Sequence, residues 1–134
     1  MVSGKLELSL DGENHTLEEG GYAFIPPGCT WKAQNNSTES TRFHWFRKKY
    51  CAVEGIEKPE AFVTNENLIA ACEMPDTDGK WATTRFVEPD DLRHDMHVNI
   101  VTFEPGGTIP IEFINRFALE NINTMFHYIL NLTP

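Results

Sequence analysis

The sequence predicts an all-β chain, a jelly roll or sandwich of short antiparallel strands, with a helical tail at its C-terminal end. Three observations carry this expectation. Apolar and polar residues alternate strictly through Lys5–Leu10, and Asp95–Phe103 alternates again, with Met96, Val98 and Ile100 on one side. Turn signals interrupt the first 50 residues every 6 to 12 positions, the rhythm of short strands folded back on one another. After Pro110 the turn signals stop, and apolar residues recur at Ile122, Met125, Phe126, Ile129 and Leu130, which is helical spacing.

Each element follows from local chemistry. Leu6, Leu8 and Leu10 fall on one face and Lys5, Glu7 and Ser9 on the other, so this strand is half-buried. Asp11-Gly12 is a two-residue hairpin turn, and Glu13–Leu17 returns as its partner. Glu18-Glu19-Gly20-Gly21 leads into a β-rich run, Tyr22–Ile25. Pro26 and Pro27 have no amide donor and must end that run. Gly28 reverses the chain, and Thr30–Ala33 pairs again. Asn35–Thr41 is a polar loop. Arg42–Tyr50 is rich in rings, Phe43 and Trp45 on one parity and His44 and Phe46 on the other, and reads as a fifth strand.

Residues 54–95 hold 11 acidic and 4 basic residues, and Pro59, Pro75 and Pro89 break any long element. They read as an acidic linker with short strands or turns, including Trp81–Val87. Glu104-Pro105-Gly106-Gly107 closes the alternating run at Phe103. A helix is expected over 112–131 despite the modest helix propensity of Ile, Phe and Asn. The expected core is Leu6, Leu8, Tyr22, Phe24, Trp31, Phe43, Trp45, Val98, Ile100 and Phe103.

Bulk properties exclude several functions. A chain of 134 residues suits one modest core. The net charge is −9, and the one basic run is Arg47-Lys48-Lys49. Nucleic acid is therefore not an expected partner, since phosphate binding needs clustered positive charge. Nor is a membrane, because no apolar run is long enough to span one. The three cysteines, Cys29, Cys51 and Cys72, have neither disulfide-framework nor zinc spacing. Reduced thiols and an N-terminus without an apolar leader core point to a cytoplasmic protein.

The stretch Gly20–Asn35 has a definite spacing: Gly20, five residues, Pro26-Pro27-Gly28, two residues, Trp31, three residues, Asn35. It resembles the second sequence motif of the cupins, a jelly-roll family, except that Trp31 stands where the family has a metal-binding histidine. Further strings extend the likeness: Phe43–Tyr50 with its basic end, Val53-Glu54-Gly55, Trp81–Phe86 and Asp95–Gly107. Together they resemble the two-cupin (S)-ureidoglycine aminohydrolases of allantoin breakdown over about four-fifths of the chain. The resemblance implies a partial cupin jelly roll, truncated at both ends and divergent after Pro110. Residues 1–53 would be the second half of one barrel, 54–94 a linker, 95–110 the opening strand of a second barrel, and 111–134 the tail. It implies hydrolysis of an aminal carbon–nitrogen bond, with release of ammonia and formation of ureidoglycolate, at a manganese ion. In the family that ion is held by E-x-H and a further histidine after the Pro-Gly-Gly turn. Here the continuation is Ile111-Glu112-Phe113-Ile114-Asn115, whose one carboxylate cannot hold the ion. No cofactor is expected in this chain, and no catalytic, cofactor-binding or metal residue is assigned. A ureide would be a ligand only of a completed barrel.

The remaining polar residues have ordinary readings. His94 and His97 lie three apart, so in a strand they would face opposite sides and not share a metal. His97 and His44 read as packed histidines, His15 as solvated, and His127 as part of the apolar tail. Cys29 has only Lys32 nearby in sequence to activate it. A rival expectation is a non-catalytic cupin fragment that oligomerises through exposed sheet edges. A third is a gene remnant, because the Ile-, Asn- and Phe-rich tail has the composition of an unselected reading frame.

Overall fold

The computed structural model describes residues 1–109 and the backbone of 127–130. Contacts divide the chain into two compact units, Met1–Leu68 and Ile69–Pro134. The first holds β1 (Leu6–Leu10), β2 (Glu13–Leu17), β3 (Gly21–Phe24), β4 (Trp31–Gln34), β5 (Phe62–Asn65) and a 3-10 turn at Glu66–Leu68. The second holds β6 (Cys72–Glu73), β7 (Trp81–Arg85), β8 (Val98–Phe103) and β9 (His127–Leu130). The described chain is all-β apart from that turn. Among the described residues no helix is long and apolar enough to cross a membrane.

In the first unit β1 pairs antiparallel with β2 on one side and β4 on the other. The hairpin forms at the expected residues. Asp11 and Gly12 both have positive φ, 48° and 91°, as a right-twisted two-residue turn requires. Register places Glu13, His15 and Leu17 of β2 beside Leu10, Leu8 and Leu6, and Trp31 and Ala33 of β4 beside Leu10 and Leu8. Directly opposite residues share a face, so all of these point to one side. Leu6, Leu8, Leu10 and Leu17 form the buried cluster there. The two-stranded sheet of β3 and β5 supplies Ala23 and Val63, which pack against it with Ile25 and Ala61. Strand β5 comes from the acidic span and pairs Phe24 with Phe62, whose rings stack at 5.9 Å.

Two expectations fail in this unit. Arg42–Tyr50 is not a strand: Arg42 makes one antiparallel bridge to Ser3, and residues 43–50 pair with no strand among those described. Alternation shows which faces a strand would present, but a strand also needs a neighbour to take its backbone groups. Three of the expected core aromatics are also exposed. Phe43, Trp45 and Trp31 are 44%, 59% and 44% exposed. Of the other expected core residues, Leu6, Leu8, Phe24 and Val98 are buried; Tyr22, Ile100 and Phe103 are half-buried.

The second unit is one four-stranded sheet, β6-β7-β8-β9. β7 pairs antiparallel with β6 and β8, and β9 runs parallel to β8. Met74, Trp81 and Val101 form its core, with Phe103 and Ile109 against them. Trp81 and Phe103 are register partners, and their rings stack at 6.0 Å. β8 begins at Val98 and not at Asp95, because residues 88–94 turn twice, with backbone bonds from Asp91 to Glu88 and from His94 to Asp91. The helix expected over 112–131 lies outside the described residues except at His127–Leu130, and there the backbone is a strand.

Candidate functional site

The motif around Pro26-Pro27-Gly28 builds a braced turn between β3 and β4. Asp11 Oδ1 accepts a 2.7 Å bond from the Thr30 amide, and the Asp11 amide donates to the Thr30 carbonyl at 2.8 Å. Lys58 Nζ donates to the Pro27 carbonyl at 2.9 Å. Gly28 has φ +94° there, a conformation side chains rarely adopt. The turn borders an open groove of about 870 Å³, lined by residues that include His15, Cys29, Lys58, Glu60 and Phe62. Burial pushes the Cys29 thiol up, and its hydrogen bond to Asp11 pushes it further. That thiol is held protonated, which disfavours a nucleophilic role. His15 is partly buried on the leucine face, 3.8 Å from Glu13, and is less solvated than its place after a hairpin suggests.

Trp31 is the telling position. It does point to the leucine face, as a metal-binding histidine would, but β4 is an edge strand among the described residues and the side chain is 44% exposed. Its ring meets Trp45 edge-on at 5.9 Å; Trp45 lies beside Phe43 at 6.4 Å and under the Arg47 guanidinium at 5.3 Å. An indole offers no lone pair to a hard cation. Among the described residues no three His, Cys, Asp or Glu side chains converge. Trp31 therefore cannot act as a ligand to the manganese ion that the resemblance implies. Glu112, the one carboxylate expected after the Pro-Gly-Gly turn, lies outside the described residues.

The histidines separate. His44 is exposed and stacks on Phe46 at 6.2 Å. His127 sits in β9, paired with Val98. His94 Nε2 lies 3.7 Å from Asp91 Oδ2. Asp91 also receives Arg93 through Nε at 2.9 Å and Nη2 at 2.7 Å, and this pairing holds its carboxyl down to about 2. Burial lowers both His94 and His97, so both favour the neutral form.

One further grouping lies in the second unit. Trp81, Thr83 and Arg85 of β7 stand opposite Phe103, Val101 and Asn99 of β8, so one face of the sheet is apolar at one end and polar at the other. Arg85 is half-buried, and its Nη2 donates to the Met74 thioether at 3.6 Å. Asn99 Oδ1 is buried without a hydrogen-bond partner. Sequence reasoning assigned neither residue to a site. The period-2 alternation puts each on a definite face, but only the β7–β8 register places them side by side.

Residues 1–47 match the family model described as Cupin domain. Over 108 residues the chain is 27% identical to (S)-ureidoglycine aminohydrolase of Escherichia coli (strain K12), covering 81% of this chain and 40% of that protein. A protein of Oryza sativa subsp. japonica named for the same activity is 27% identical over 116 residues, covering 86% of this chain and 36% of that one. Among solved structures, a protein of Pseudomonas aeruginosa named as glyoxylate-induced is 60% identical, with a TM-score of 0.77 over 81% of this chain and 41% of that one. The chain thus resembles the (S)-ureidoglycine aminohydrolases, and spans about two-fifths of the length of these relatives.

Proposed function

We propose that this chain is a cupin of the (S)-ureidoglycine aminohydrolase kind, acting in cytoplasmic allantoin breakdown, and that its own residues supply scaffold without the manganese centre. The observation that carries this reading is Trp31. It occupies the motif's histidine position, faces the barrel side of its sheet, and holds its ring against Trp45. A metal at the motif's histidine position would supply Lewis-acid chemistry, and the indole of Trp31 offers it no ligand. The test is ammonia release from ureidoglycine generated in situ, with and without added manganese, alongside elemental analysis of the purified chain. Release at the uncatalysed rate with no stoichiometric metal is expected. Manganese-dependent release would overturn the reading.

A second reading is an oligomerising module, with another copy of the chain as the partner. It is favoured by β4, which lies at the edge of the order β2-β1-β4 and is exposed along its whole length. Unpaired edges of this kind invite strand addition. Light scattering across a concentration series tests it: a mass that stays at one chain throughout would sink it.

A further inference from the structure

We infer, resting on the oligomerising reading above, that β4 pairs antiparallel with β4 of a second copy of this chain, in a symmetric register centred on Ala33. The backbone of β4 is the first support. β4 is an edge strand among the described residues, and all four of its residues are exposed. Just beyond the β1–β4 ladder the Asp11 amide donates to the Thr30 carbonyl. In an antiparallel pair such bonds recur at every second residue. With Ser9 opposite Lys32 and Glu7 opposite Gln34, residues Thr30, Lys32 and Gln34 turn their amides and carbonyls toward β1. Trp31 and Ala33 turn theirs outward. Among the described residues no backbone bond from outside the β1–β4 ladder reaches those outward groups. A row of alternating donors and acceptors is a template for another strand.

The side chains then select the register. Two symmetric pairings use the outward groups of both Trp31 and Ala33, one centred on Lys32 and one on Ala33. Centring on Lys32 sets its ammonium directly opposite the same ammonium of the second copy, and like charges so placed repel. Centring on Ala33 sets Lys32 opposite the neutral amide of Gln34, and Trp31 opposite Asn35. Ala33 then meets Ala33, the smallest side chain of the strand, so the two backbones can approach closely.

Trp31 and Ala33 lie on the leucine face. In this register that face continues across the seam, in a sheet of order β2-β1-β4-β4-β1-β2. The exposed Trp31 ring stands diagonally from Ala33 of the second copy, a separation that an aromatic side chain can bridge. The turn after β4 uses its own polar groups internally. Asn35 Oδ1 accepts from the Ser37 amide at 2.9 Å and the Ser37 hydroxyl at 2.7 Å, and Asn35 Nδ2 donates to the Glu39 carbonyl at 2.8 Å. The edge is therefore self-complementary in backbone, charge and side-chain size, which is why a second copy is the occupant.

The test is sedimentation equilibrium of the full chain and four variants across a concentration series. Gln34→Glu places a carboxylate opposite Lys32 twice, by symmetry, and should tighten the dimer about 2- to 30-fold. Gln34→Lys should weaken it by a similar factor. Lys32→Gln would tighten the dimer only in the register centred on Lys32, so tightening by this variant overturns the Ala33 register. Ala33→Pro removes an outward amide that β1 does not use, a place where an edge strand tolerates proline. It should stay monomeric while its circular dichroism and its amide shifts in β1 and β2 match wild type. The gain expected from Gln34→Glu cannot arise from a chain that fails to fold. A dimer that none of Gln34→Glu, Gln34→Lys and Ala33→Pro alters would overturn the pairing through β4 and leave the oligomerising reading in place. A single-chain mass for wild type at every concentration would remove both.

Discussion

Replacing Leu8 should cost at least as much as replacing Trp31, although Trp31 is much the larger side chain. Leu8 is 3% exposed at the centre of β1, with Leu6 and Leu10 beside it on the same face and neighbouring strands on both sides. Leu8→Ala removes buried methyl and methylene groups and leaves a void that two flanking strands cannot close, a cost of about 2–5 kcal/mol. Trp31 is 44% exposed on an edge strand. Roughly half of its possible burial is lost in Trp31→Ala, together with an edge-on ring contact, for about 2–4 kcal/mol in all, but no enclosed void is left at this open edge. For a unit this small, each kcal/mol moves the melting temperature by about 4–8 °C. The assay is urea and thermal unfolding of both variants, followed by far-ultraviolet circular dichroism. A larger cost at Trp31 would refute the argument that the leucine face, and not the aromatic cluster, is the core of the first unit.

Other outcomes follow from the same contacts. His94 and His97 are held below their ordinary value by burial, so the unfolded chain binds protons that the folded chain does not. Their contribution to stability should be complete above about pH 6.5 and fall as the pH drops below it; a melting temperature flat from pH 8 to pH 5 would contradict this. With a thiol-reactive disulfide at neutral pH, the exposed Cys51 and Cys72 should react before Cys29, whose thiol is pushed up; Cys29 reacting first, by peptide mapping, would show that burial and Asp11 do not protect it. Gly107→Ala should destabilise the second unit, because the new β-carbon would stand 2.5 Å from the Lys80 carbonyl oxygen, a backbone atom with little room to yield; unchanged unfolding would mean that the turn after β8 relaxes freely.

Local rules were sufficient for the first hairpin. The alternation in Lys5–Leu10, the Asp11-Gly12 turn and the return at Glu13–Leu17 are all encoded within a few residues, and β1 and β2 form there. The same holds for the stop at Pro26-Pro27 and for β7 inside Trp81–Val87, where missing donors and alternating burial act over short range. The cupin likeness could also be read before any coordinates, because spacing within a motif is a property of the chain alone. Tertiary structure decided the rest. Arg42–Tyr50 alternates as well as many strands do, but no described strand lies beside it, and a strand is stable only where a neighbour takes its hydrogen bonds. Trp31 faces the core side, yet its exposure depends on whether a further strand covers β4. β5 lies in an acidic, proline-broken span with little pattern of its own, and forms because β3 offers an open edge. Arg85 and Asn99 are 14 positions apart in the chain and become neighbours only through the β7–β8 register. Pattern specifies which face a residue can occupy; pairing between distant segments determines what it meets there.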